Sequence, residues 1–170
     1  MKFLVWGAGA IGGTLGAFLA RAGNDITLVD TVVEHVDAIN RGGLHITGPI
    51  ATFTTRVAAF TPPALCGSWE TVILATKAHH TAAAVRALVP HLSPSGCVIS
   101  AQNGLNELTI AECVGEPRTV GAFVNFGADY MAPGVIFYGG RGTVMVGEAF
   151  GDRRISSRVV PLNRSSVSQP

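Results

Sequence analysis

The stretch GAGAIG sets glycines at 7, 9 and 12, the G-x-G-x-x-G spacing. It follows a short apolar run and opens a stretch of helical period, the setting in which this spacing holds a dinucleotide. Gly7 makes a tight turn, Gly9 lets the backbone touch a pyrophosphate, and Gly12 lets helix and strand pack closely. Ala8, Ala10 and Ile11 complete the loop and the first helical turn, whose free N–H groups attract phosphate. Asp30 stands 18 residues after Gly12. A carboxylate there accepts hydrogen bonds from the ribose hydroxyls of adenosine, which favours NAD over NADP. A 2′-phosphate in that place would be repelled by up to about 4 kcal/mol per unit charge at roughly 4 Å. The residues that follow, Thr31, Val32 and Val33, supply no compensating arginine.

Two further groups fall just after apolar runs. TVILATKAHH (71–80) passes from a buried strand straight into Lys77, His79 and His80. Lys77 precedes a helix N-terminus, where a cation is disfavoured by about 0.3–1 kcal/mol. An anion or a polarised oxygen opposite it would account for the placement; a solvated surface lysine is the plainer alternative. Adjacent histidines on a helix point in different directions, so His79 and His80 are not expected to chelate, and no metal is expected. In AQNGLNE (101–107), Asn103 carries an amide that donates and accepts at once, suited to a carboxamide, a ribose or a keto acid. Asn-Gly is equally a turn dipeptide, and Asn a helix N-cap.

The elements that must position these groups follow from pattern. KFLVW (2–6), DITLVD (25–30), TVILAT (71–76) and GCVISA (96–101) read as buried strands. IGGTLGAFLARAG (11–23), a helix from Thr31 to about Asn40, TAAAVRALVPHL (81–92) and LNELTIAECV (105–114) read as helices. Thr31 and Glu34 have the spacing of a capping box for the second of these. LHIT (44–47) and ATFTTRV (51–57) are short strands about a Gly48–Pro49 turn, and 119–128, 134–138 and 143–147 are strands joined by Gly/Pro turns. The fold class expected is α/β: a Rossmann-like NAD(P)-binding domain, a mostly parallel sheet with helices on both faces, plus a C-terminal antiparallel β meander.

Bulk properties narrow the field. The chain has 170 residues, 48% of them apolar and 14% charged, and a net charge of +1, which suits one globular α/β domain and gives no nucleic-acid footprint. Glycines interrupt the N-terminal apolar stretch and no run of transmembrane length exists, so neither secretion nor a membrane span is expected. Cys66, Cys97 and Cys113 are odd in number and widely spaced, which suggests reduced thiols and a cytoplasmic protein. Residues 1–150 are expected to form the dinucleotide-binding domain. The end, 151–170, is different: nine of its 20 residues are Arg or Ser and it carries +3, against −2 for the rest. It is expected to be disordered.

VWGAGAIGG, TKAHH and QNGLNE, in this order and at these separations, make the chain resemble the ketopantoate reductases (2-dehydropantoate 2-reductases) over about 1–150. That resemblance implies NADPH-dependent reduction of ketopantoate to pantoate, on the path to pantothenate and coenzyme A. It implies that Gly7 to Gly12 hold the pyrophosphate, that Lys77 contacts the cofactor on the nicotinamide side, and that Asn103 touches both cofactor and substrate. Gly127, at the end of the strand beginning near Thr119, would lie against the cofactor through its backbone. Two departures stand out. The family's NADP selectivity rests on a basic residue after the second strand, where this chain has DTVV (30–33), so Asp30 tilts the expectation toward NADH. The family's catalytic lysine belongs to a helical C-terminal domain that nothing in 151–170 matches, so the catalytic residue is unknown and the chain is expected to be the cofactor-binding half. A non-catalytic nucleotide-binding module, forming homo-oligomers through the uncovered cleft face, and a dehydrogenase of another small keto or hydroxy acid are the alternatives.

Overall fold

The computed structural model describes residues 1–151. The expectation for the end of the chain therefore falls, beyond Gly151, outside the described residues. Eleven strands and four α-helices are described: β1 (Lys2–Trp6), α1 (Ala10–Arg21), β2 (Asp25–Val29), α2 (Val33–Gly42), β3 (Leu44–Thr47), β4 (Phe53–Thr55), β5 (Ala58–Phe60), β6 (Trp69–Leu74), α3 (Thr81–Leu88), β7 (Leu92–Ser100), α4 (Asn106–Val114), β8 (Thr119–Val124), β9 (Gly127–Ala132), β10 (Val135–Gly140) and β11 (Val144–Glu148).

A seven-stranded sheet runs in the order β11-β8-β7-β6-β1-β2-β5, and all its pairs are parallel except β11 with β8. Its central strands are apolar on both faces, so each face nucleates its own core. Along β1, Phe3 and Val5 point into a core shared with α1 and α2, while Leu4 and Trp6 point into one closed by Val85 and Leu88 of α3 and Ile110 and Val114 of α4. Burying side chains of this size contributes about 1.5–3 kcal/mol each. The α/β class and the mostly parallel sheet thus stand as expected.

The strands of 119–148 are divided between two sheets rather than following one another as a meander. β8 and β11 extend the main sheet, whereas β9 and β10 join β3 and β4 in a four-stranded sheet of order β4-β3-β10-β9. Helix α1 is held between the two sheets, and its glycines make room. A Cβ at Gly16 would lie 2.7 Å from a Leu28 methyl of the main sheet, and one at Gly13 would overlap Ile136 of β10. At the helix's far end, Phe18 stacks edge-on against Phe53 and Tyr138 at 5.1 and 5.4 Å.

The Thr31–Glu34 capping box does not form. Helix α2 begins two residues later, with Val32 at its N-cap and no side-chain cap bond. The cap thus lies one position past the proposed one, and the N–H of the actual N-cap, Val32, is taken by Asp30 Oδ1 at 3.0 Å.

Candidate functional site

Strands β1, β2, β6, β7 and β8 all point the same way, so the loops that follow them share one rim. From β1 the sheet grows through β2 to β5, and from β6 it grows the other way through β7 to β8. The direction reverses between β1 and β6, where an open α/β sheet forms its ligand crevice.

The glycine loop sits at that reversal. Gly7 follows β1, donates to the Val29 carbonyl at 2.8 Å, and has φ +98°, a region L side chains rarely adopt. A Cβ there would stand 2.9 Å from backbone atoms of Ala75 and Thr76 at the end of β6. At Gly12, in α1, a Cβ would overlap the Gly7 carbonyl oxygen. Gly9 is the N-cap of α1, its carbonyl accepts from Gly13 N–H at 2.7 Å, and the position a Cβ would take is open space. Ala10 and Ile11 form the first turn of the helix and are half-buried. Closed beneath and open in front, the loop is a cradle for something that approaches backbone.

Asp30 faces the cradle. Its Oδ2 accepts the Ala8 N–H at 2.8 Å and its Oδ1 accepts the Val32 N–H. A carboxylate has about four lone-pair sites, so about two remain for incoming hydroxyls. The opposite end of Ala8 is held as well: the ring of His35, fully buried in α2, lies with Nε2 2.9 Å from the Ala8 carbonyl oxygen. His35 Nδ1 accepts the Gly134 N–H at 2.9 Å, from the turn between β9 and β10. Tyr130 of β9 packs edge-on against the His35 ring at 5.0 Å. Its phenol is pushed above 10.0, first by burial and then by the negative charges of Asp30 and Glu34.

At the other end of the rim, Lys77 and Asn103 are exposed. Lys77 caps a short 3-10 turn, 78–80, ahead of α3. The loops carrying the two residues are tied by buried and half-buried polar groups. Gln102 Nε2 reaches the Thr76 carbonyl oxygen at 2.8 Å and the Thr81 hydroxyl at 2.9 Å. That hydroxyl lies 3.1 Å from Asn106 Oδ1, and Asn106 Nδ2 donates to the Asn103 carbonyl at 2.7 Å. Asn103 is thus the anchored residue and Asn106 the anchor; the N-cap of α4 is Leu105. His79 and His80 do not diverge as helix geometry suggested. They lie in the 3-10 turn with ring centroids 4.0 Å apart. Among the described residues no group of three or more His, Cys, Asp or Glu could hold a metal.

Gly127 is not at the end of the strand beginning at Thr119. That strand, β8, stops at Val124, and Gly127 opens β9 in the second sheet, paired with Gly140. Beside Asn103 the rim opens into a groove of about 550 Å³ floored by Ala122, Val124 and Val146 and flanked by Glu107, Phe123 and Met145. No described helix is long and apolar enough to cross a membrane.

Residues 3–151 match the family described as ketopantoate reductase PanE/ApbA. The chain belongs to that family. Curated relatives include the 2-dehydropantoate 2-reductases of Pyrococcus abyssi, 37% identical over 86% of this chain and 47% of that protein, and of Halobacterium salinarum, 30% identical over 92% and 53%. Among solved structures, a PanE/ApbA family ketopantoate reductase from Ralstonia eutropha JMP134 superposes with a TM-score of 0.86 at 28% identity, covering 97% of this chain and 53% of that one. The chain spans about half the length of the relatives it matches.

In this ketopantoate reductase family member, the parts of the site that sequence reasoning missed are the residues that hold others. His35 lies on the buried stripe of α2 with Val36 and Ile39 and has the pattern of an ordinary core residue. Thr81, Gln102 and Asn106 sit within or beside the quoted motifs, yet only the fold shows that they bond to one another. Their one local signal was a cluster of hydrogen-bonding side chains at two strand ends.

Proposed function

We propose that this chain is the dinucleotide-binding half of an NAD(P)H-dependent 2-dehydropantoate 2-reductase-type oxidoreductase, and that it favours NADH. The observation that carries the preference is the Asp30 carboxylate, fixed by two backbone N–H groups beside the glycine loop with lone pairs to spare. Gly7, Ala8, Gly9, Ala10, Ile11 and Gly12 would hold the pyrophosphate, and the open space in front of Gly9 fits it. Asp30 would accept the adenosine ribose hydroxyls. Lys77 and Asn103 would face the nicotinamide side, Asn103 also meeting the substrate, and Gly127 would approach through its backbone. A bound nicotinamide supplies the hydride that reduces the keto carbon of a small 2-keto acid. Lys77 is assigned to cofactor contact and not to proton transfer. The general acid is not identified among the described residues.

The family membership and the two-ended rim support the reductase reading and the pantothenate pathway it implies. The cytoplasm is the compartment that goes with it, Cys66, Cys97 and Cys113 all being thiols. Fluorescence titration with NADH and NADPH tests the assignment. NADH is expected to bind more tightly, and Asp30→Ala to weaken NADH while affecting NADPH less, narrowing the ratio between them about tenfold, since the ribose acceptor and the repulsion of a 2′-phosphate disappear together. Tighter binding of NADPH by the natural chain would overturn the preference, and binding of neither would overturn the cradle.

A second reading, self-association through the cleft face, draws on Leu105, Phe123 and Met145, which are 81%, 60% and 63% exposed. Light scattering across a concentration series tests it, and a monomer throughout would remove it.

A further inference from the structure

Ala8 is the one residue of the glycine loop whose N–H and C=O are both consumed by side chains: Asp30 takes the first and His35 stands against the second. The His35 tautomer follows from its partners. The Gly134 N–H can only donate, so Nδ1 accepts, the ring proton is on Nε2, and Nε2 donates to the Ala8 oxygen. No cis peptide occurs among the described residues, and in a planar trans peptide the carbonyl and the following N–H point in opposite directions. Drawing the Ala8 carbonyl inward onto His35 therefore turns the Gly9 N–H outward, toward the side where a Gly9 Cβ would meet nothing.

We infer that His35 is a positioning residue that aims the Gly9 N–H at the dinucleotide phosphate, and that the turn between β9 and β10 sets its tautomer. This rests on the dinucleotide reading proposed above. The turn is suited to that task because it is itself held on both sides. Gly134 has φ +76°, its N–H is on His35, its carbonyl accepts the His45 N–H at 2.8 Å, and a Cβ there would press on Ala38 of α2 at 3.1 Å. The second sheet thereby reaches into the phosphate cradle from 99 residues downstream of His35. Dinucleotide affinity is in consequence set partly by a turn that need not touch the ligand.

Three variants of the full chain separate positioning from packing. His35→Gln keeps an N–H donor near the Nε2 position, His35→Asn keeps an acceptor near Nδ1, and His35→Phe keeps the ring volume alone. NADH titration is expected to leave His35→Gln within about threefold of the natural chain, and to find His35→Asn and His35→Phe at least about tenfold weaker, the factor that corresponds to about one hydrogen bond. Thermal unfolding is expected to rank them differently, since all three lose one of the two bonds or both. In the free protein, amide exchange at Gly9 is expected to change in His35→Asn and not in His35→Gln. A His35→Asn variant that binds NADH like the natural chain, or affinities that simply follow the unfolding temperatures, would overturn the inference and leave the dinucleotide reading intact. A natural chain that binds neither NADH nor NADPH would overturn both.

Discussion

The two ends of the rim are built by opposite means. At the β1–β2 end the groups that would face a dinucleotide are backbone atoms, held from behind by Asp30, His35 and the close packing of Gly7 against β6. At the β6–β7 end they are exposed side chains, Lys77 and Asn103, whose loops alone are tied by Thr76, Thr81, Gln102 and Asn106. An end made of fixed backbone pays little ordering entropy when it binds, whereas each long side chain at the other end must be immobilised at about 0.5–1.5 kcal/mol. Affinity is therefore expected to reside in the glycine loop, and orientation of the reacting carbon in the Lys77–Asn103 loops.

The sharpest break comes from adding one methyl group at two glycines of the same loop. In Gly12→Ala the new Cβ overlaps the Gly7 carbonyl, a backbone atom that cannot swing aside. The unfolding free energy is expected to fall by about 1–3 kcal/mol or more, with NADH titration flat. In Gly9→Ala the new Cβ enters open space at φ −67°, which any residue adopts. Stability is expected to stay within about ±0.5 kcal/mol, while NADH binding falls roughly tenfold or more as the methyl stands in the path of the phosphate. Denaturant unfolding and titration on the two variants check the pair. Unchanged NADH affinity in Gly9→Ala would place the ligand elsewhere.

The opposite end is probed by Thr81→Val, which keeps the shape of a buried side chain and deletes its hydroxyl. The hydroxyl's single proton, shared between the Ala78 carbonyl at 2.7 Å and Asn106 Oδ1 at 3.1 Å, is lost there, and Gln102 Nε2 keeps only Thr76. A half-satisfied network of this kind is expected to lower stability by about 1–2 kcal/mol. NADH affinity should change by no more than about threefold, because these loops orient more than they hold. A loss of affinity as large as that of Gly9→Ala would erase the distinction between the two ends.

What was legible in the sequence is what is local. Short continuous apolar runs placed β1, β2, β6 and β7, glycine spacing placed the loop, and Asp30, Lys77 and Asn103 came out after strand ends because strand ends were where the runs stopped. Partners distant along the chain were not legible. Nothing in α2 announces that His35 meets Gly134, and nothing in the 119–148 run says which strand joins which sheet, since period-2 alternation gives a strand its faces but not its neighbours. The capping box was misread for a related reason: Thr31 and Glu34 had the right spacing, but spacing does not say which residue is the N-cap, which is Val32, with its N–H held by Asp30 from the preceding strand end.

Tyr130 gives the smallest effect and the most direct view of charge at the Asp30 end. Its phenol is raised above 10.0 by burial first, then by Asp30, then by Glu34. A tyrosine raised in the folded state holds its proton where the unfolded chain has begun to lose it. The linked stability is thus fully present below pH 10.0 and declines as pH rises through that value toward the folded one. Tyr130→Phe should flatten that decline in unfolding temperature and leave neutral pH unaffected. Asp30→Asn should bring the tyrosinate absorbance transition only part of the way back, because burial remains and Glu34 still carries its charge. An NADH-saturated sample should shift the same transition upward if the ribose hydroxyls and the phosphates settle beside Asp30, since ligand charge and further burial both disfavour the phenolate. A transition that ignores NADH at saturation would mean that the adenosine lies away from Tyr130, on the β6 side of the loop.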